Sequence, residues 1–182
     1  MKTTFYMVRH GQPDWGWAET MRFFGPCSAY MPLTPLGVEQ IEHTACDPQL
    51  RGAAFILASP YTRTMQSAQI LSRRLDLPVT VEWDLHEWLY DRDMKGDLPT
   101  PEERFGREDM TRCFFFYMEH DELTGEDNCE TAAVIAERVL ACLRRYDGQA
   151  KKIIVVCHEG VIRSVTGMKA VNLGQVVPVT LE

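Results

Sequence analysis

The sequence predicts an α/β fold: a three-layer sandwich with an open, mostly parallel sheet, helices on both faces and a lid-like insertion. Three observations carry that prediction. Apolar runs of strand length recur at residues 5–8, 53–58 and 153–157. Segments with helical start signals or helical periodicity lie between them, as crossovers between parallel strands require. The runs also end alike, in Arg9-His10-Gly11, in Ser59-Pro60 ahead of Arg63, and in His158-Glu159-Gly160. Ligands of an open α/β sheet bind just beyond the carboxyl ends of its strands, so these endings fall where chemistry is done.

In chain order, the first strand is followed by residues 12–33, rich in Gly, Pro and aromatics (Trp15, Trp17, Phe23, Phe24) and without a period, which read as a loop folded over the site. Thr34 as N-cap and Pro35 at the first helical position open a helix to about Thr44. The second strand ends in Ser59-Pro60, read as another cap and first-turn proline, opening a helix with Met65, Ala68, Ile70 and Leu71 inward. Leu77-Pro78 breaks the chain before a short strand at 79–81. Residues 84–127 change character: charges, prolines and glycines surround Leu85-His86-Glu87-Trp88-Leu89-Tyr90, and a helix is expected over about 107–120. So long a connection reads as an insertion or lid.

Ala132, Ile135, Ala136, Val139, Leu140 and Leu143 then recur at helical spacing. The β-branched run at 153–157 suits the middle of a parallel sheet, a helix is expected over 161–168, and Pro178 places the tail strand at an edge.

A chain of 182 residues is read as one domain, 1–182, able to bury roughly 70 % of its unfolded surface. The net charge of −7 argues against a general nucleic-acid binder, though a local pair of arginines can still bind an anionic substrate. Six cysteines without a Cys-x-x-Cys pair or zinc-like spacing read as free thiols in a reducing compartment. The first residues run straight into a strand and no apolar run reaches the ~20 residues that span a bilayer. A cytoplasmic protein is expected, with a small-molecule substrate, no nucleic-acid or membrane partner, and a homodimer as the one assembly left open.

If the strands are parallel, Arg9, His10, Arg63 and His158 converge on one crevice. Guanidinium forks match phosphate oxygens, and fixed donors stabilise the charge that spreads during phosphoryl transfer. A neutral imidazole offers a lone pair and makes a labile phosphoramidate, and the second histidine, held protonated, is expected to donate to the phosphate. A leaving alkoxide needs a proton. Glu87, among Leu85, Trp88 and Leu89, is the leading source, because apolar neighbours raise a carboxyl pKa; Glu126 and Glu130 are the alternatives.

These residues resemble the histidine phosphatase superfamily, the phosphoglycerate mutase-like proteins. Arg9-His10-Gly11 matches the family's Arg-His-Gly. Ser59, Pro60, Arg63, Gln66, Ser67 and Ala68 match its Ser-Pro-x-x-Arg-x-x-Gln-[Ser/Thr]-Ala stretch, Leu85-His86-Glu87 its Leu-x-Glu acid motif, and Val155-Val156-Cys157-His158 its late strand. Leu33-Thr34-Pro35-Leu36-Gly37 is also family-like. The resemblance implies His10 as phosphorylated nucleophile, Arg9, Arg63 and His158 as phosphate pocket, and Glu87 as acid then base. Gln12 stands where the family often has Glu or Gln near the pocket.

There are departures. Gly16 occupies the position of a phosphate-holding Asn, Glu130-Thr131 replaces Glu-Ser, and the mutases' extra segment is not evident. Tyr90, three residues after Glu87, does match a mutase feature.

Blander readings compete with these. A lone His158 would read as a satisfied core histidine and a lone Arg63 as a surface residue; the shared register outweighs both. His43, His86 and His120 read as solvated. Trp15, Trp17, Phe23 and Phe24 read most simply as a hydrophobic cover, with a substrate-recognition role equally open. Arg22, with Arg104, Arg107 and Arg112, is a candidate for a second anionic group of the substrate. A metal site from His10, His158 and Glu159 is disfavoured, because the arginines repel a cation.

The expected activity is thus that of a histidine acid-type phosphatase, a phosphoric monoester hydrolase needing neither metal nor cofactor. Mutase-type phosphoryl transfer is the runner-up, and a phosphate-binding regulatory module with weak turnover is the reading from another class.

Overall fold

The computed structural model describes residues 2–20, 29–89, 91–92, 110–120 and 128–181. Its strands are β1 (Thr4–Arg9), β2 (Ile56–Ala58), β3 (Val79–Val81), β4 (Lys152–Cys157) and β5 (Val176–Thr180). They form one sheet in the order β3-β2-β4-β1-β5. Pairings β3·β2, β2·β4 and β4·β1 are parallel, and β5 closes the edge antiparallel to β1. The β-branched run is therefore central, and Pro178 sits on an edge strand, where its missing N–H costs no ladder bond.

The helices are α1 (Trp15–Thr20), α2 (Pro35–Thr44), α3 (Thr62–Leu75), α4 (Met110–Glu119), α5 (Ala132–Arg144) and α6 (Glu159–Thr166). Alternation along the strands divides the core in two. Phe5, Met7, Ile153, Val155 and Cys157 pack with Ile135, Val139 and Leu143 of α5 and Val161 and Ile162 of α6. Val8, Ile154 and Val156 face Ile41 of α2 and Ala68 and Leu71 of α3 on the other side. Burying both faces gives the three expected layers.

Four expectations change. Residues 12–33 are not all loop: Asp14 accepts from the Trp17 N–H at 2.8 Å and opens the short helix α1, on which Trp15 is 63 % exposed and so covers nothing. Ser59-Pro60 does not start α3, which begins at Thr62 after Tyr61, because the Ser59 hydroxyl is committed to His158. The late helix starts at Glu159 rather than Val161, with His158 as its N-cap residue. His86 is buried, its Nδ1 2.7 Å from the Glu87 carbonyl and its ring 5.1 Å from that of Trp83. Within residues 84–127, α4 is present; Arg104, Arg107 and Glu126 lie outside the described residues, as do Arg22 and Phe23 and Phe24 earlier in the chain.

The turn after β1 is clamped to the start of α2. Thr34 caps α2 by accepting from the Gly37 N–H at 3.0 Å, and its own N–H donates to the Gln12 carbonyl at 2.9 Å. The backbones touch: a Cβ on Gly11 would stand 2.2 Å from the Gly37 carbonyl oxygen, and one on Gly37 2.4 Å from that of Gln12. Alanine at Gly37 should therefore cost about 1–3 kcal/mol net of the ~1 kcal/mol that helix propensity returns. The reading is a lower urea midpoint with unchanged slope, and a midpoint equal to wild type would refute the clamp.

Candidate active site

Parallel pairing of β1 with β4 sets Arg9 opposite Cys157, so His10 and His158 leave the sheet side by side. Their rings meet edge to face, with centroids 5.2 Å apart. His10 Nδ1 lies 2.7 Å from the Gly11 carbonyl, which can only accept, so Nδ1 carries the proton and Nε2 keeps its lone pair. The Arg63 Nε–H points at that lone pair at 3.2 Å, and Arg63 Nη2 lies 3.3 Å from His158 Nδ1. An arginine has only donors, so His158 Nδ1 accepts and its Nε2–H donates to Ser59 Oγ at 2.8 Å.

Both imidazoles are held neutral. Burial is the largest cause of the lowered pKa of His10, with Arg63 and Arg9 adding to it and the Gly11 bond opposing. Burial and then Arg63 likewise push His158 well below the ordinary histidine value. The protonated His158 expected from the sequence is thus corrected for the protein alone: a cation cannot be added cheaply beside a buried guanidinium. A dianion among these groups would act in the opposite sense.

Arg9 reaches the same edge from the other side. Its Nη1 pairs with Glu159 Oε2 at 2.9 Å and donates to the Val171 carbonyl, while its buried Nε has no acceptor among the described residues. Glu87 reaches the start of α6. Its Oε1 accepts from the Trp88 N–H at 3.1 Å, and its Oε2 lies 3.4 Å from the Gly160 nitrogen. Burial raises its pKa, against the pull of those N–H groups, Arg63 and Arg138.

Glu130, an alternative acid, is engaged elsewhere. Arg138 grips both its oxygens at 2.7 and 3.0 Å and the Leu89 N–H takes Oε2 at 2.9 Å. Gln12 turns away from the imidazoles, its Oε1 accepting from the Thr34 hydroxyl at 2.9 Å. Tyr90 and Arg22 lie outside the described residues.

Sequence reasoning misses Tyr61. Its ring stands edge to face with His158, centroids 5.0 Å apart, and the Arg63 guanidinium lies over it at 5.0 Å. Burial pushes its hydroxyl up to about 12, so it stays a neutral phenol. Reading Ser59-Pro60 as a helix cap hides it; Tyr61 is the residue between strand end and helix.

Arg63 stands between the two imidazoles and Glu159 is taken by Arg9, which does not suit a cation at His10, His158 and Glu159. Among the described residues, the cluster spaced for a metal is Glu82, Asp84 and Cys142, but Arg145 already pairs with both carboxylates at 2.6 and 3.1 Å.

Neutral histidines make stability depend on pH. Below the unfolded value of about 6.5 the unfolded chain binds protons that folded His10 and His158 refuse, so their stabilising share is full above that pH and falls as pH drops. The slope is up to about 1.4 kcal/mol per pH unit for each histidine. Urea midpoints of the wild type should therefore fall between pH 7 and 5 more steeply than those of the His10→Asn/His158→Asn variant; parallel lines would contradict the neutral assignment.

Residues 5–172 match the histidine phosphatase superfamily (branch 1). A probable phosphoglycerate mutase, GpmB, of Proteus mirabilis (strain HI4320) is 33 % identical over 82 residues, a segment spanning 45 % of this chain and 36 % of that protein. Among solved structures, native mycobacterial glucosyl-3-phosphoglycerate phosphatase superposes with a TM-score of 0.70 at 17 % identity, covering 97 % of this chain and 89 % of that one. The α-ribazole phosphatase of Shigella flexneri gives 0.62 at 22 % identity, covering 97 % and 89 %. At these identities the structural likeness is one of fold. The family match, running from β1 past α6, takes in every strand end that builds the pocket, and the chain belongs to the histidine phosphatase superfamily.

Proposed function

We propose that this protein is a metal-independent phosphomonoesterase that hydrolyses a small phosphorylated metabolite through a phosphohistidine on His10. The observation that carries the reading is the state of His10: Nδ1–H held by the Gly11 carbonyl, Nε2 bare and facing Arg63. A phosphate entering there would draw the Arg63 N–H groups onto its oxygens, engage the unpaired Arg9 Nε, and raise the pKa of His158 until Nδ1 becomes a donor. The Nε2 lone pair forms the P–N bond as the P–O bond to the leaving group breaks, and the Glu87 proton goes to the departing oxygen. In the second half Glu87 takes a proton from water, whose oxygen forms the new P–O bond as P–N breaks; inorganic phosphate leaves and His10 is restored.

Mutase-type transfer is the second reading, favoured by the Proteus mirabilis relative's name. A mutase must keep its phosphohistidine from water. Gly16, at the family's Asn position, lies on α1, and a Cβ there would meet Asp14 at an ordinary 3.5 Å, so space does not dictate the glycine. The lost amide removes one group that would hold the phosphoryl in place, which favours water as acceptor.

Rapid quench with labelled substrate should trap an acid-labile, base-stable phosphate on His10 and none in His10→Ala. An adduct elsewhere would refute the mechanism. Arg63→Ala should forfeit on the order of 3–4 kcal/mol of transition-state stabilisation, by analogy with a lost oxyanion donor. Inorganic phosphate should be the main product even with a phosphoglycerate present, and isomerisation outrunning release tenfold would promote the mutase. Glu87→Gln should slow the burst with an alkyl phosphate by about 10²–10⁴-fold and with a good aryl leaving group far less. Equal losses would take the acid role from Glu87.

A further inference from the structure

Three parts of the chain meet at the Glu87 carboxyl. Gly160, second residue of α6, has its nitrogen 3.4 Å from Glu87 Oε2. A Cβ there would stand 2.5 Å from Glu87 Oε1 and 3.0 and 3.1 Å from Cε2 and Cζ of Phe114. Carboxyl, helix backbone and ring thus leave room for a hydrogen atom and nothing larger.

Phe114 comes from α4, within the insertion. Its ring stands edge to face with Trp88, centroids 5.9 Å apart, and the Trp88 indole is anchored to the Glu130 carbonyl at 2.7 Å. Two further contacts seat α4 on α6: the Arg163 guanidinium lies over the Phe115 ring at 4.9 Å, and the Ser164 hydroxyl meets the Met118 sulfur at 3.9 Å. Residues 114, 115 and 118 and residues 160, 163 and 164 each share one helix face, so the two faces are matched. Among the described residues, Arg163 Nε and Nη1 are buried without an acceptor, which makes the Phe115 ring a principal partner of that cation there.

We infer that Phe114 and Gly160 are positioning residues for the general acid: Gly160 admits the Glu87 carboxyl to the head of α6, and Phe114 keeps water from it. The inference rests on Glu87 being the acid. Charged and titratable groups also face the carboxyl from other elements: Arg63 of α3, Arg138 of α5, Tyr61 before α3 and the Cys157 thiol at the end of β4. The two arginines and the two N–H groups favour the carboxylate, and only dryness opposes them. Phe114 of α4 therefore belongs to the cover whose desolvation raises the carboxyl pKa.

Removing the Phe114 ring admits water, lowers the Glu87 pKa and moves the basic limb of the alkyl-phosphate burst rate to lower pH. At a fixed pH on that limb, moving it down by one pH unit costs a tenfold loss of protonated acid.

The test measures burst rates against pH with an alkyl phosphate and an aryl phosphate of good leaving group, for wild type, Phe114→Ala, Phe114→Leu, Gly160→Ala and Glu87→Gln. Expected for Phe114→Ala is a limb moved down by about one pH unit and an alkyl-phosphate loss of about tenfold at a fixed pH on that limb, with Phe114→Leu recovering most of both. Gly160→Ala, which displaces the carboxyl, should likewise cost the alkyl substrate far more than the aryl one. A limb that stays in place in Phe114→Ala, or equal losses for both substrates in Phe114→Ala and Gly160→Ala, while Glu87→Gln still separates the substrates, overturns this inference alone. A Glu87→Gln enzyme that treats both substrates alike removes the acid assignment itself and the positioning pair with it.

Discussion

The parallel register of β1 on β4 is the constraint from which the pocket follows. It brings two strands out of the sheet at the same level, Arg9 against Cys157, so the next residue of each is an imidazole at the same height. Two rings 5.2 Å apart in a buried edge leave little water between them. Desolvation then decides their charge state before any ligand arrives. A nucleophile needs that neutrality, and a buried cation bonded to both rings reinforces it.

Arg63 is a buried cation with one N–H on each imidazole, and the buried Nε–H of Arg9 has no acceptor among the described residues. Hydrogen bonds from a guanidinium to a neutral ring are weaker than those to an oxyanion, so a phosphate dianion would hold these two N–H groups more strongly than the rings do. Donors fixed in this way cost little reorganisation when charge develops. Glu159 and the Val171 carbonyl limit the freedom of Arg9 by both holding its Nη1.

Much of this is legible in the sequence because strand ends carry their own signature. The β-branched run at β4, the Thr34-Pro35 start of α2, and the alternation that assigns Met7 and Val8 to opposite faces all follow from local sterics and period. Less legible are residues whose roles depend on a distant partner. Ser59 has the residue type of a cap, yet a histidine 99 positions on holds its hydroxyl. Nothing in the local pattern separates those two uses. His86 reads as solvated because its neighbours are charged, but its carbonyl partner and the Trp83 ring enclose it. The charge of His158 is misread for a related reason: the sequence shows which groups converge and not how dry their meeting place is.

The site also divides by origin. His10 and His158 leave the sheet edge side by side, where register fixes them, and Arg63 reaches both from the first turn of α3. The Glu87 carboxyl comes from the segment after β3, held by backbone N–H groups, with Phe114 of α4 packed beside it at Gly160. In the proposed reaction, phosphate capture and leaving-group protonation therefore answer to different parts of the chain. Every phosphomonoester presents the same tetrahedral dianion, so the sheet-borne half has one geometry to satisfy. Leaving groups differ in size and basicity, and the half that meets them is built from loops and a packed helix, whose sequence can change without disturbing the strand register. If the chain acts as the proposed phosphomonoesterase, this division lets it alter which ester it cleaves while retaining how it cleaves it.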